Sequence, residues 1–227
     1  MPSPGGPAFF GRRGEEKMNR CVIAGGAEIG DYGRVRTFLR ESDYLICCDS
    51  GLKHAGKLGI RPSLIVGDFD SWERPETDIE TIVLPREKDD TDTVYAAREA
   101  VRRGFGEFLL IGAAGGRFDH TFGNISLLLW LDAMGKKARL LDDYSEMEIV
   151  SRAPAEIDGA YPFFSLLNIS GTAEGITIRG AKYPLEGGKI DSEYQYGISN
   201  EVLPGETATV SVGKGKLLLV KVFPSAE

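Results

Sequence analysis

Along residues 21–142, short apolar runs alternate with segments whose apolar positions recur at the helical period. The runs at 21–24, 44–48, 64–67, 81–84, 108–111 and 138–141 have strand length and are almost continuously hydrophobic, as strands buried on both faces are. Between them, 31–40, 52–58, 91–103 and 119–134 carry helical patterns; in the third, Val94, Ala97 and Val101 share one face. Strands alternating with helices predict a mostly parallel sheet flanked by helices. From about residue 146 the texture changes to short strands punctuated by Gly and Pro, at 148–151, 164–170, 175–180, 207–212 and 216–222. This spacing predicts a small antiparallel sandwich or barrel. The expected organisation is a turn-rich, flexible extension at 1–19, an α/β domain with a mostly parallel sheet at 20–145, and an all-β, sandwich-like domain at 146–227.

Composition refines this in a few places. Hydrophobic residues at 42% and charged residues at 27% are ordinary for an ordered globular chain, so disorder is not expected over most of it. A net charge of −7 argues against nucleic acid as the main partner, because a phosphate backbone calls for a basic face. Cys47 and Cys48 are neighbours in a strand and point to opposite faces, leaving Cys21 as the one other thiol. A disulfide framework is therefore not expected, and a reducing cytoplasm fits the chain. No apolar run reaches the roughly 18 residues that span a bilayer, so no membrane is expected. The opening segment lacks the apolar stretch of a secretion signal, and Met1 and Met18 both stand open as the start.

Candidate chemistry gathers where strands end. Asp49 closes the second run, Asp68 and Asp70 follow the third, Lys88-Asp89-Asp90-Thr91-Asp92 follows the fourth, and Gly112-Ala-Ala-Gly-Gly-Arg-Phe-Asp-His120 follows the fifth. Parallel strands place these ends along one edge, where open α/β proteins bind ligands. Carboxylates crowded there repel one another unless a hard cation such as Mg2+ holds them. On an extended backbone Asp68 and Asp70 project to the same side, a spacing that suits one metal; the plainer alternative is an exposed turn. Asp89 or Asp90 is expected to cap the next helix, leaving Asp92 to face the metal. The turn at Gly115, Gly116 and Arg117 offers polyphosphate close backbone approach and a guanidinium fork. Asp119 is placed to hold the metal through water or to orient a substrate amine. The turn is neither a Walker A loop, lacking Gly-Lys-Ser/Thr, nor a dinucleotide fingerprint. His120 reads as a hydrogen-bonding residue at a helix start, and His54 as an ordinary surface or partly buried histidine. These residues by themselves reach a Mg2+-dependent transferase of the phosphoryl type.

Taken in order, Asp49-Ser-Gly, Gly67-Asp-Phe-Asp-Ser71, Lys88-Asp-Asp-Thr-Asp92, Gly112 to His120 and the late Gly197-Ile-Ser-Asn200 resemble thiamine pyrophosphokinases over about residues 20–222. The resemblance implies an α/β domain that binds ATP and Mg2+, a β-sandwich that binds thiamine and dimerises, and a homodimer with active sites between subunits. It also implies the reaction, in which the thiamine hydroxyl attacks the β-phosphorus of ATP to give thiamine diphosphate and AMP. By position, Asp68, Asp70 and Asp92 match residues that bind Mg2+ or approach the hydroxyl. Asp49 and Asp119 match supporting acids, and Arg117 matches a phosphate contact. Lys88 stands where some members carry glutamine, and its charge suits the transferred phosphate. Tyr183 falls where some members stack a tryptophan on the thiamine pyrimidine. Ser199 and Asn200 match the end of a Thr-Ser-Asn motif, with Ile198 in place of the threonine. Two rivals remain at this level: a phosphatase of haloacid dehalogenase type with Asp68 as nucleophile, and a non-catalytic nucleotide or thiamine sensor.

Overall fold

The computed structural model describes residues 20–70, 75–87 and 89–225. The extension at 1–19, Ser71 and Lys88 lie outside the described residues. The first half runs β1 (Arg20–Ala24), α1 (Tyr32–Phe38), β2 (Tyr44–Cys48), a 3-10 turn (Asp49–Gly51), α2 (Leu52–Leu58), β3 (Leu64–Gly67), β4 (Thr81–Val83), α3 (Asp92–Arg102), β5 (Glu107–Ile111), α4 (Phe118–Ala133) and β6 (Lys137–Leu141). Every pairing among these strands is parallel, in the order β6-β5-β1-β2-β3-β4. Alternation splits their side chains between two cores. Cys21, Ile23, Ile46, Cys48, Leu64 and Leu110 pack under α3 and α4, while Val22, Ala24, Leu45, Cys47 and Leu109 pack on the opposite face with Val35 and Ala55. Burial on both faces is why the central strands β1, β2, β3 and β5 are almost continuously apolar. Cys47 and Cys48 fall on opposite faces as the strand period requires, and Cys21, Cys47 and Cys48 are free thiols. No helix among the described residues is long and apolar enough to cross a membrane.

Helix ends follow local chemistry, with one departure from expectation. Asp31 caps α1 by accepting from Arg34 N at 2.9 Å, and Gly59, at φ 72°, closes α2 in the left-handed conformation that glycine adopts freely. The cap of α3 is Thr91, whose Oγ1 accepts from Val94 N at 3.3 Å, and neither Asp89 nor Asp90 fills that position. Thr91 has the extended backbone a cap requires, whereas Asp90 pairs with Arg98 at 2.5 Å.

The second half contains β7 (Ser145–Val150), β8 (Ala155–Ile157), β9 (Phe163–Leu167), β10 (Thr172–Arg179), β11 (Leu185–Asp191), β12 (Gly197–Asn200), β13 (Ala208–Ser211) and β14 (Leu217–Val222). Four of these strands form a sheet of their own, while β7, β9, β12 and β14 extend the sheet of the first half. A tight turn, in which Asp142 Oδ1 accepts from Tyr144 N (2.8 Å) and Ser145 N (2.6 Å), lays β7 antiparallel on β6. One mixed sheet of ten strands therefore runs β12-β9-β14-β7-β6-β5-β1-β2-β3-β4, and a separate antiparallel sheet runs β11-β10-β13-β8. The hairpin occupies the backbone groups of β6 that would otherwise form an open edge. Leu217 and Leu219 of β14 point into the core against Ile176, Ile178 and Val210 of the smaller sheet, while Leu218 and Val220 pack in the core that holds Leu128 and Leu131 of α4. β14 thus joins the two halves.

Candidate active site

The sheet order reverses at β1: the chain steps outward through β2, β3 and β4, then returns to place β5 on β1's other side. Such a switch point opens a crevice at the carboxyl ends of the strands. Here the flanking loops pack backbone to backbone. Gly25 N donates to Ile111 O and Ala27 N to Gly112 O, both at 2.9 Å. A Cβ on Gly51 would lie 2.2 Å from Ala24 O, and one on Gly25 would lie 2.6 Å from Gly112 O. The glycines let the loops after β1, β2 and β5 meet in one layer.

The predicted acids lie along this edge. Asp49 is buried, and its Cα lies 3.2 Å from where a Cβ on Gly67 would stand, so it abuts the end of β3. Asp68 and Asp70 follow β3, but not on the extended backbone expected of them. Phe69 has φ 53°, and Asp68 Oδ1 accepts from Asp70 N at 3.2 Å in an Asx-type turn. Asp68 is half-buried and Asp70 exposed. Asp92 is the first residue of α3 and half-buried; burial first, then neighbouring charges including Asp92, push the Cys48 thiol up, which places that carboxylate near the end of β2. Among the described residues, no three His, Cys, Asp or Glu side chains converge in a geometry that would hold a metal ion by themselves.

The glycine-rich turn links β5 to α4. Gly112, Gly115 and Gly116 have φ of 55°, 98° and 65°. Thr121 Oγ1 accepts from Gly115 N at 3.0 Å, and the buried Asn124 donates from Nδ2 to Ala113 O at 2.7 Å. These two residues, one helical turn apart, anchor the loop; their spacing on the inner side of α4 was the available sequence signal. Arg117 and Asp119 are exposed and paired, with Nη2 to Oδ2 at 2.5 Å and Nε to Oδ1 at 3.1 Å. The Arg117 hydrogen bond holds the Asp119 carboxyl below its ordinary range, and Asp119 in turn raises Arg117. Asp119 Oδ1 also accepts from His120 N at 3.0 Å, so His120 enters through its backbone at the helix start. His54 departs from its expected surface or partial burial: it is fully buried beneath this turn.

Tyr183, Ser199 and Asn200 lie elsewhere. Tyr183 is 60% exposed, and Asn200 spends its amide on that residue's backbone, accepting from Tyr183 N at 3.0 Å and donating to Tyr183 O at 2.8 Å. Ser199 is exposed, at φ 59°. It sits on β12, the outermost strand of the large sheet, eight strand steps from β3, which at ~4.8 Å per step is about 38 Å. Within one chain, the strand that carries Ser199 and Asn200 thus stands far along the sheet from the strand that leads to Asp68 and Asp70. Asp49, Phe69 and Ser199 are the three non-glycine residues with positive φ among the described residues, and each falls in a motif singled out from the sequence. Each such conformation costs roughly 1–2 kcal/mol and persists where its surroundings enforce it, a pattern that concentrates at functional sites.

Comparison with known proteins bears on the same segments. Residues 35–140 match the catalytic domain of thiamin pyrophosphokinase, and residues 149–217 match its vitamin B1 binding domain. The thiamine pyrophosphokinase of Bacillus subtilis strain 168 is 30% identical over 210 residues, covering 88% of this chain and 96% of that protein. In three dimensions the chain is similar to the thiamin pyrophosphokinase of Geobacillus thermodenitrificans, with TM-score 0.79, 28% identity, and coverage of 92% of this chain and 99% of that one. It shares its fold with the thiamine pyrophosphokinase crystal structure from Bacillus subtilis at TM-score 0.81 and 24% identity, covering 91% of this chain and 100% of that one.

Proposed function

The chain belongs to the thiamine pyrophosphokinase family, and we propose that its switch-point edge holds ATP and Mg2+ while a second copy of the chain brings thiamine against it. The enzyme transfers the pyrophosphoryl group of ATP to the hydroxyl of thiamine, giving thiamine diphosphate and AMP. The phosphatase and sensor readings find no support.

The observation that carries the site assignment is the joining of the glycine-rich turn and the acidic loops at one sheet edge. Arg117 is exposed at the end of the glycine-rich turn, and releasing Asp119 frees its fork for phosphate. Lys88, outside the described residues, adds a charge for the transferred group. Asp68, Asp70 and Asp92 would hold Mg2+, with Asp49 and Asp119 as supporting acids. Their hard carboxylate oxygens suit the ion. When bound, Mg2+ supplies charge neutralisation on the phosphates. The chain's residues align the hydroxyl with the β-phosphorus and offer Asp70 or Asp92 to take the hydroxyl proton.

Tyr183 offers an exposed face to the thiamine pyrimidine, with Asn200 fixing the tyrosine backbone and Ser199 the preceding residue of β12. The separation of β12 from β3 supports a homodimer with sites between subunits, since closure within one chain would span most of the sheet. Three free, buried thiols support a reducing cytoplasm. The test is AMP release from ATP with and without thiamine. Release that requires thiamine and matches thiamine diphosphate one for one is expected; phosphate release indifferent to thiamine would refute it.

A further inference from the structure

We propose that His54 is a positioning residue of the nucleotide site, locking the loop after β1 onto the glycine-rich turn so that the turn's backbone is held ready for phosphate. This rests on the reading of that turn as the polyphosphate cradle. His54 is fully buried, and both ring nitrogens are bonded: Nε2 to Ala27 O at 2.9 Å and Nδ1 to Tyr32 Oη at 2.7 Å. A carbonyl only accepts, so Nε2 carries the proton and Nδ1 accepts from the tyrosine hydroxyl. Ala27 N–H in turn donates to Gly112 O at 2.9 Å, completing a chain from the imidazole through Ala27 to the first residue of the turn. The ring also fills the space beside Gly112, where a Cβ would lie 2.8 Å from Nε2. From the other side, Thr121 and Asn124 fasten the same turn to α4. A buried imidazole is unfavourable unless both nitrogens are satisfied, and an apolar side chain would fill the volume without reaching Ala27 O. Burial, reinforced by Lys53, lowers the His54 pKa and keeps the ring neutral.

The test uses the full-length enzyme with His54→Leu, which removes the donor, and His54→Gln, whose amide nitrogen keeps a donor near the Nε2 position. His54→Leu is expected to raise the KM for ATP about tenfold, the effect of one lost buried hydrogen bond, while the KM for thiamine moves less than about twofold. His54→Gln should return the ATP value to within about threefold of the parent. A folded His54→Leu enzyme with an unchanged ATP KM, or with both KM values rising together, overturns the proposal. Should that variant not fold, nitrogen-15 spectra of the parent decide, since the chain has two histidines. His54 should show the neutral Nε2–H tautomer, and its signals should shift when α,β-methylene-ATP with Mg2+ is added; the other tautomer or no shift overturns the proposal. Arg117→Ala separates the two levels. If it leaves the ATP KM unchanged, the reading of Arg117 as the turn's phosphate contact fails; if it raises that KM and His54→Leu does not, the His54 lock alone fails.

Discussion

Alanine at Gly112 and alanine at Gly116 should have opposite consequences, although the residues lie in one turn and both have positive φ. At either position an L-residue in the left-handed region costs roughly 1–2 kcal/mol. At Gly112, φ 55°, the new methyl would also stand 2.7 Å from Gly25 O and 2.8 Å from His54 Nε2, with His54 Cδ2 at 3.0 Å. One neighbour is backbone and the other is held by two hydrogen bonds, so neither yields without breaking the layer of loops. Overpacking of this kind adds roughly 1–3 kcal/mol. At Gly116, φ 65°, no atom lies within 4 Å of the added methyl, so the conformational cost stands alone. Gly112→Ala should therefore be less stable than Gly116→Ala by about 1–3 kcal/mol in urea unfolding followed by far-ultraviolet circular dichroism. In a chain of this size that is at least about 2 °C in Tm. The functional order should invert: Gly116→Ala keeps its fold but adds a methyl to the open side of the turn, raising the KM for ATP more than its stability loss would suggest. Equal destabilisation by the two substitutions would refute the packing account, and an unaltered ATP KM in Gly116→Ala would remove that side of the turn from the phosphate site.

Asp70→Asn and, separately, Asp92→Asn should fold normally and lose roughly 10²-fold or more in turnover, the scale of one transition-state electrostatic contact; near-normal activity at limiting Mg2+ would exclude the substituted residue from the ion's environment. Mixing Asp70→Asn with Tyr183→Ala subunits should recover roughly a quarter of parental activity at equal ratio, because half the dimers are mixed and each holds one undamaged site. Verified mixed dimers with no recovery, or a fully active monomer in sedimentation, would show that each chain builds its site alone. Stability should fall as pH drops below about 6.5, the ordinary histidine value. There the unfolded chain takes up a proton that folded His54, set among Lys53, Lys57 and Glu28 with its pKa lowered mainly by burial, resists. His54→Gln should lack this step; a parental Tm flat from pH 7 to 5 would contradict it. A second loss belongs below about 4.5, where Glu99, held at about 2 by its hydrogen bond to Arg102 and by Arg103, stays ionised while the unfolded chain protonates.

Much of this molecule is written locally. Strands buried on two faces, such as Tyr44–Cys48 and Leu64–Gly67, declare themselves as continuous runs without a charged residue, and helices such as α3 and α4 by their period. The placing of the candidate site was legible for a related reason: acids and glycines recur where strands end, and a parallel sheet brings those ends to one edge whatever its detailed order. The three strands absent from the sequence reading, Ala155–Ile157, Leu185–Asp191 and Gly197–Asn200, are all sheet edges. An edge strand buries little, so it has little reason to alternate; Gly187 and Gly188 in β11 and the left-handed Ser199 in β12 interrupt what pattern there is.

Other features depended on partners distant in sequence. Thr91 caps α3 while Asp90 pairs with Arg98, and the left-handed Phe69 turns the Asp68–Asp70 pair off the extended path that its spacing alone implied. His54 looked ordinary because nothing near it in the chain announces Ala27, Tyr32 or Gly112. The sequence by itself determined which candidate side chains stand at the strand ends, since side-chain type and strand periodicity are local properties. Only the tertiary structure decided that β7 would extend the parallel sheet and carry Ser199 to its far end, eight strands from the β3 end that bears Asp68 and Asp70, because strand order is set by edges that must be paired and faces that must be covered.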